Sequence, residues 1–81
     1  MNKYDVFKYK IENIEIEAVV VDIVATYHNY IGEFEIVYLC YGQNILFTLT
    51  ECEGTCIDHK VIAESVTITE IDNGIKLYNL I

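Results

Sequence analysis

The sequence predicts an all-β protein: a small single-domain antiparallel barrel or two-sheet sandwich of about five to six strands. Val, Ile, Thr and Tyr dominate the chain, which is typical of strands, whereas the helix formers Leu, Ala, Gln and Arg are scarce. Turn residues separate several short runs of alternating apolar and polar residues, as in small barrels and sandwiches. The length of 81 residues fits one domain spanning residues 1–81.

The strands are predicted from alternation, in which residues two apart share one face of a sheet. In chain order we expect strands at residues 4–10, 14–27, 33–41, 45–50, 61–72 and 75–80. The third alternates most clearly, and its face with Phe34, Ile36, Tyr38 and Cys40 is apolar. The last two flank Asn73-Gly74, which predicts a type I′ hairpin turn because Asn and Gly accept a positive φ most readily.

The long second strand changes its buried face partway. Ile14 and Ile16 alternate with Glu15 and Glu17, but from Ala18 onward both parities are apolar. A strand with this pattern is bent or bulged, because a one-residue slip exchanges its two faces. Long bent strands allow a small sheet to close into a barrel.

One segment allows a short helix instead of a strand. Thr55 could cap a helix near residues 54–64, in which Ile57, Val61 and Ile62 have helical spacing. We therefore keep one short helix as an alternative for this segment.

The charge distribution is strongly acidic. The net charge is −8, with five Lys and no Arg, and residues 11–59 contain nine carboxylates but no Lys or Arg. This composition argues against direct binding of nucleic acid or an anionic membrane surface, both of which need basic side chains. It favours a basic protein surface as the partner.

The chain shows no apolar run of the length of a membrane span and no signal-peptide core at its start. Its three cysteines, an odd number, fit a reducing compartment better than a disulfide framework. We therefore expect a cytoplasmic protein. Because 53% of its residues are apolar in a chain that can bury only a small core, we also expect a homo-oligomer.

The cysteines raise the question of a metal or a catalytic thiol. Cys40, Cys52, Cys56 and His59 form a Cys₃His set of the kind that binds zinc. However, structural zinc sites usually contain a tighter Cys-x₂-Cys pair, so we expect no metal and no cofactor. The acidic surroundings also disfavour a thiolate nucleophile, so we do not expect an enzyme.

The best candidate site combines carboxylates with a tyrosine-rich loop. Glu15 and Glu17 share one strand face, and so do Glu33 and Glu35; each pair could simply be solvated. The loop between the second and third strands contains an aromatic and polar group that resembles a recognition surface, namely Tyr27, His28, Asn29 and Tyr30. Tyr9, Tyr38 and Tyr41 could extend this surface, or the loop could be a plain hairpin connection.

These observations lead to a first functional hypothesis: a non-enzymatic acidic protein that occupies a basic site on another protein. One use of such a protein is to inhibit a nucleic-acid-binding or defence enzyme, as phage or bacterial anti-defence proteins do. Two alternatives remain at this point, a β-barrel that binds a small molecule and a structural subunit that builds an oligomer.

Overall fold

The computed structural model describes residues 1–67, which form a single antiparallel sheet in meander order, β1-β2-β3-β4-β5. Its strands are β1 (Val6–Ile11), β2 (Ile14–His28), β3 (Phe34–Gly42), β4 (Ile45–Cys52) and β5 (Thr55–Ala63). The predicted all-β class is therefore confirmed. The sheet curls into a half-barrel, so the described strands form one curved layer and not two packed sheets.

Three two-residue loops connect these strands into hairpins. Both residues of each loop have positive φ, the signature of the type I′ turn, whose twist matches that of the flanking strands. The loops are Glu12-Asn13, Gln43-Asn44 and Glu53-Gly54. Asn and Gly occupy the second position in each loop, because these residues tolerate left-handed backbone at low cost.

The long strand β2 is bulged, as its change of face predicted. Two register shifts against β3 leave Val21 and Val24 without a partner in the ladder. Each extra residue reverses the parity of the residues that follow, so Ile23 faces Tyr38 on the core side, whereas Val19, before the first bulge, faces Tyr41 on the other side of the sheet. Residues 14–19 of β2 pair with β1 and residues 19–28 pair with β3, so β2 joins the two halves of the sheet.

The alternative of a short helix near residues 54–64 is wrong, because this segment is strand β5. Two register shifts against β4 leave Ile57 and Ile62 unpaired in the ladder, and both side chains are exposed. These two bulges displace isoleucines from strict alternation and produce a spacing that resembles that of a helix.

The core lies on the concave face of the sheet, here called the inner face. Val20, Tyr38, Cys40 and Phe47 are fully buried there. Each large apolar side chain buried in this way stabilises the fold by roughly 1.5–3 kcal/mol. The other members of the buried cluster are Ile11, Ile16, Ala18 and Leu49.

A contact between non-adjacent strands shows how strongly the sheet curls. The Tyr9 hydroxyl of β1 lies 2.7 Å from Nδ1 of His59 on β5, and the Tyr9 ring stacks on Phe47 with centroids 5.9 Å apart. The first and the last described strands therefore meet across the inner face.

Several predicted features lie outside the described residues: the strand at 75–80, the Asn73-Gly74 turn, and residues 68–72 of the predicted strand at 61–72. Within residues 1–67, no helix is long and apolar enough to cross a membrane.

Candidate functional site

The connection between β2 and β3 is organised by one side chain, Asn29. Its Oδ1 accepts hydrogen bonds from the backbone amides of Ile31 (3.1 Å) and Glu33 (2.9 Å). Its own backbone amide donates to the Glu33 carbonyl at 2.8 Å, and its carbonyl accepts from Gly32 at 2.9 Å. Residues 27–35, here called the β2–β3 tip, therefore form a loop with a defined backbone.

The carboxylate of Glu35 is held on both oxygens. Asn29 Nδ2 donates to Oε2 at 2.7 Å, and the Tyr27 hydroxyl donates to Oε1 at 3.0 Å. The hydrogen bond to Glu35 raises the pKa of Tyr27 above its usual value, with smaller contributions from burial and from nearby negative charge. The negative charge of Glu35 is thus fixed against the strand.

Apolar side chains project from this ordered tip. Tyr30 is 99% exposed and Ile31 is 63% exposed. Phe34 is also exposed, and its ring centroid lies 5.4 Å from that of His28. A cluster of exposed apolar side chains on a loop with a defined backbone is a common feature of protein-binding surfaces.

The β4–β5 hairpin is hydrogen-bonded to the tip. The Glu53 amide donates to the Phe34 carbonyl at 3.1 Å, and the Phe34 amide donates to Glu53 Oε1 at 2.9 Å. This contact brings Glu53, in the β4–β5 turn, beside the β2–β3 tip. The acids at this end of the sheet are Glu33, Glu35, Glu51 and Glu53.

The other predicted acidic pair lies elsewhere. Glu15 and Glu17 face Lys10 and Lys8 across the β1–β2 ladder, and Lys8 Nζ lies 3.9 Å from Glu15 Oε1. Such exposed pairs stabilise a fold by at most about 1 kcal/mol, but they offset the local charge. The structure therefore places Glu15 and Glu17 in a balanced surface, away from the β2–β3 tip.

The additional tyrosines do not extend the tip. Tyr38 is fully buried, and Tyr9 lies on the inner face between β1 and β5. Tyr41 lies at the opposite end of β3, where its hydroxyl is close to Asn44 Oδ1 (2.9 Å) and the Val66 carbonyl (2.6 Å).

The four residues of the predicted zinc set are divided between two faces. Cys40 is buried on the inner face, where desolvation raises the pKa of its thiol to about 12. Cys56 and His59 contact the Tyr9 hydroxyl, at 3.8 Å and 2.7 Å. Cys52 lies on the outer face, with its sulfur 4.0 Å from Asn29 Nδ2.

Partial burial, together with the charges of Glu33 and Glu35, raises the pKa of the Cys52 thiol. Within residues 1–67, no three His, Cys, Asp or Glu side chains are grouped so that they could hold a metal ion.

Two residues at this end of the sheet are absent from the predicted site: Ile31, which belongs to the tip, and Glu53, which lies beside it. The alternation of apolar and polar residues does not identify Ile31, because Ile31 lies in a loop and not in a strand. Its position next to Tyr30 in the sequence is the one indication of its role. Glu53 was noted only as an acid of a later loop, and its position next to Phe34 depends on pairing between distant strands.

The fold and the tip together define a small acidic half-barrel with an ordered aromatic hairpin tip. No protein-family model, curated protein or solved structure matches this chain.

Proposed function

We propose that this protein is a non-enzymatic binding protein whose β2–β3 tip occupies a basic, partly apolar site on another protein. The observation that carries the proposal is Tyr30, which is 99% exposed on a loop that Asn29 holds in one conformation. Glu33 and Glu35 follow it in the chain, and the Glu35 carboxylate is hydrogen-bonded to Asn29 of the same loop.

The geometry of the tip lowers the entropic cost of binding. A loop that is already ordered loses little conformational freedom when it meets a partner. Tyr has only two side-chain torsions and a large contact area, and it is enriched among the residues that dominate protein interfaces. Tyr30 and Ile31 would therefore enter an apolar pocket of the partner.

The charges around the tip specify what surrounds that pocket. From residue 11 to residue 59 the chain has no Lys or Arg, and the acids that surround the tip have no basic neighbour in this stretch. A partner with Lys or Arg around an apolar pocket is complementary to this surface and is attracted over about one Debye length.

A site with both basic and apolar character is typical of proteins that bind single-stranded nucleic acid. The finer proposal is therefore an inhibitor of a nucleic-acid-binding or defence enzyme, of the phage or bacterial anti-defence type. In that case the carboxylates take the place of phosphates, and the Tyr30 ring takes the place of a base.

The experiment is capture from host extract at low salt, followed by purification of the captured protein and direct titration. We expect Tyr30→Ser to weaken the affinity at least tenfold, as for a central interface residue. Tyr4→Ser is the matched control, because Tyr4 is also an exposed tyrosine but lies at the opposite end of the sheet. Equal affinities of the two variants would contradict the proposal.

A further inference from the structure

Strand β5 forms one edge of the sheet. Among the described strands it pairs with β4 alone, and β1 approaches it only through side chains, as in the contact of Tyr9 with His59. Residues 55–60 are exposed along the first part of the strand. An edge strand of this kind carries unpaired backbone groups to which a further strand can be added.

The amide of His59 shows where these backbone groups lie. It donates a hydrogen bond to Oδ1 of the adjacent Asp58 at 2.9 Å. This short-range partner indicates that the amide points to the free edge and not to β4. Because the N–H and C=O groups of one strand residue point to the same side, the His59 carbonyl lies on the free edge as well. A strand added here would therefore pair directly with His59.

Two bulges restrict the length of β5 that can be paired in this way. Ile57 and Ile62 are the extra residues of the β5 ladder, so the stretch in regular register with β4 is residues 58–61. Bulges at a sheet edge limit uncontrolled pairing with other strands. The residues of this short stretch must therefore decide which strand fits and in which register.

The charges of the stretch are complementary to those of a second copy that pairs antiparallel. With His59 opposite His59 of the second copy, Asp58 of each copy lies opposite Lys60 of the other. A shift of two residues in either direction would instead oppose Asp58 to Asp58 or Lys60 to Lys60, and like charges directly opposite are unfavourable. A shift of one residue would oppose His59 to residues whose amides face β4. The self-complementary register is therefore the favoured one.

The side chains are placed to use this register. Asp58 and Lys60 alternate with His59, whose ring lies on the inner face beside Tyr9, so both charges lie on the outer face. If the two His59 residues exchange backbone hydrogen bonds, the Asp58–Lys60 pairs are of the type without backbone hydrogen bonds, in which side chains lie closest. The Asp58 carboxylate is then released from the His59 amide. Lys60 is the sole Lys or Arg between residues 11 and 75, so this acidic chain places its isolated cation at the edge.

Apolar side chains flank the charged stretch on both sides. Ile57 is 53% exposed and Ile62 is 40% exposed. A second strand along this edge would cover part of both, which adds a favourable apolar contribution to the contact.

We infer that two copies of this chain associate through their β5 edges in antiparallel order, with His59 at the two-fold axis and Asp58 of each copy beside Lys60 of the other. Such a contact is isologous, so it closes as a dimer and joins the two sheets into one. Each β2–β3 tip adjoins the turn before β5, so the two tips lie at opposite ends of the dimer and stay free. The inference does not depend on the function proposed for the tip.

The test is sedimentation equilibrium of charge variants at low salt. At ~100 μM chain we expect the wild type to be mainly dimeric. Lys60→Glu and Asp58→Lys each place like charges opposite one another twice, so each should weaken dimerisation about tenfold. Both side chains are exposed, so both variants should fold. The double variant that exchanges the two charges should dimerise like the wild type.

An equimolar mixture of the two single variants gives the sharpest result. In a heterodimer of Lys60→Glu with Asp58→Lys, both pairs again combine opposite charges, so the mixture should form dimers under conditions in which each variant alone is mainly monomeric. Lys8→Glu is the matched control, because it makes the same change in net charge on the exposed surface of β1. It should dimerise like the wild type.

Three results would overturn the inference: a wild-type monomer at this concentration, dimers that Lys60→Glu does not weaken more than Lys8→Glu does, or a mixture no more associated than its two components. The external partner of the tip is a separate question, because the monomeric Lys60→Glu variant keeps the whole tip and should still bind that partner.

Discussion

The side-chain amide nitrogen of Asn29 lies 2.7 Å from Oε2 of Glu35, and this hydrogen bond connects the β2–β3 loop to strand β3. The ion pair between Lys8 and Glu15 is longer, at 3.9 Å, and both its side chains are exposed. Short hydrogen bonds therefore hold the Glu35 carboxylate in one position. The charge of Glu15, in contrast, is only partly offset by the lysine beside it.

The first prediction concerns the order of the tip. In Asn29→Ala the amides of Ile31 and Glu33 lose their acceptor, and Glu35 loses a donor. We expect a loss of about 1–2 kcal/mol in the free energy of unfolding. Hydrogen exchange of the Ile31 and Glu33 amides should become about tenfold faster, as measured by NMR.

Tyr30→Ser is the control for this experiment, because Tyr30 is exposed and its side chain makes no hydrogen bond among those found in the tip. Its exchange rates at Ile31 and Glu33 should equal those of the wild type. Unchanged exchange in Asn29→Ala would show that Asn29 does not organise the loop.

The second prediction concerns the contact that joins β1 to β5. Tyr9→Phe removes the hydroxyl that lies 2.7 Å from His59 Nδ1 but keeps the ring that stacks on Phe47. In urea unfolding we expect a loss of about 0.5–1.5 kcal/mol. In a double-mutant cycle with His59→Ala, the two changes should be non-additive.

The matched control is Tyr41→Phe. It removes a hydroxyl group near the C-terminal end of β3, where that hydroxyl contacts Asn44 and Val66. Tyr41→Phe and His59→Ala should be additive. Additivity of Tyr9→Phe with His59→Ala would mean that the two strands are not coupled through this hydrogen bond.

The third prediction concerns Gly42, where β3 passes close to β2. A Cβ at this position would clash with the Glu17 carbonyl oxygen and would lie 3.0 Å from the Ala18 Cα, both of which are backbone atoms. Since the backbone cannot move aside easily, we expect Gly42→Ala to cost about 3 kcal/mol, the upper end of the range for overpacking.

Gly32→Ala provides the comparison. Nothing lies within 4 Å of a Cβ at Gly32, but its φ of +84° should cost about 1 kcal/mol when Ala replaces Gly. Thermal melts of both variants should therefore rank Gly42→Ala as the less stable. The reverse order would contradict the close approach of β2 and β3.

The fourth prediction concerns alkaline pH. Burial raises the pKa of the Cys40 thiol from 9.0 to about 12, and burial also raises the pKa of Tyr9 to about 12. In the unfolded chain the thiol ionises near pH 9.0, whereas in the folded chain it stays protonated up to about 12. The contribution of the protonated Cys40 thiol to the free energy of unfolding is therefore complete below pH 9. It is lost as the pH rises from 9 toward about 12.

Urea midpoints measured across this range should decline in the wild type and decline less steeply in Cys40→Ala. The slopes are compared, because the substitution also leaves a cavity that lowers stability at every pH. Parallel slopes in the two proteins would contradict the assignment to Cys40.

Most of the described fold could be predicted because alternation is a local property. The strands at residues 14–27, 33–41 and 45–50 were found within two residues of their observed ends. The bend in β2 was also visible, because bulges at Val21 and Val24 exchange the parity of its apolar residues. The same effect at Ile57 and Ile62 led to the helix alternative, since a bulged strand and a short helix can give similar spacings.

The candidate site could be predicted only where its residues are neighbours in the chain, and not where they are brought together by strand pairing. The loop with Asn29 and Tyr30 was identified from composition, and its neighbours Glu33 and Glu35 follow directly in the chain. The pairing of Lys8 and Lys10 with Glu17 and Glu15 depends on the β1–β2 register, so the balanced charge there became visible only in the structure.

The most direct test of the central claim is the salt dependence of the affinity for the purified partner, measured by titration calorimetry for two charge variants. Glu33→Lys changes the charge at the tip, and Glu12→Lys makes the same change in net charge in the β1–β2 turn, at the opposite end of the sheet. We predict that the wild-type affinity falls at least tenfold between about 0.05 M and about 0.5 M salt, and that only Glu33→Lys both weakens binding and reduces this dependence. An affinity that is independent of salt, or equal effects of the two variants, would contradict the account.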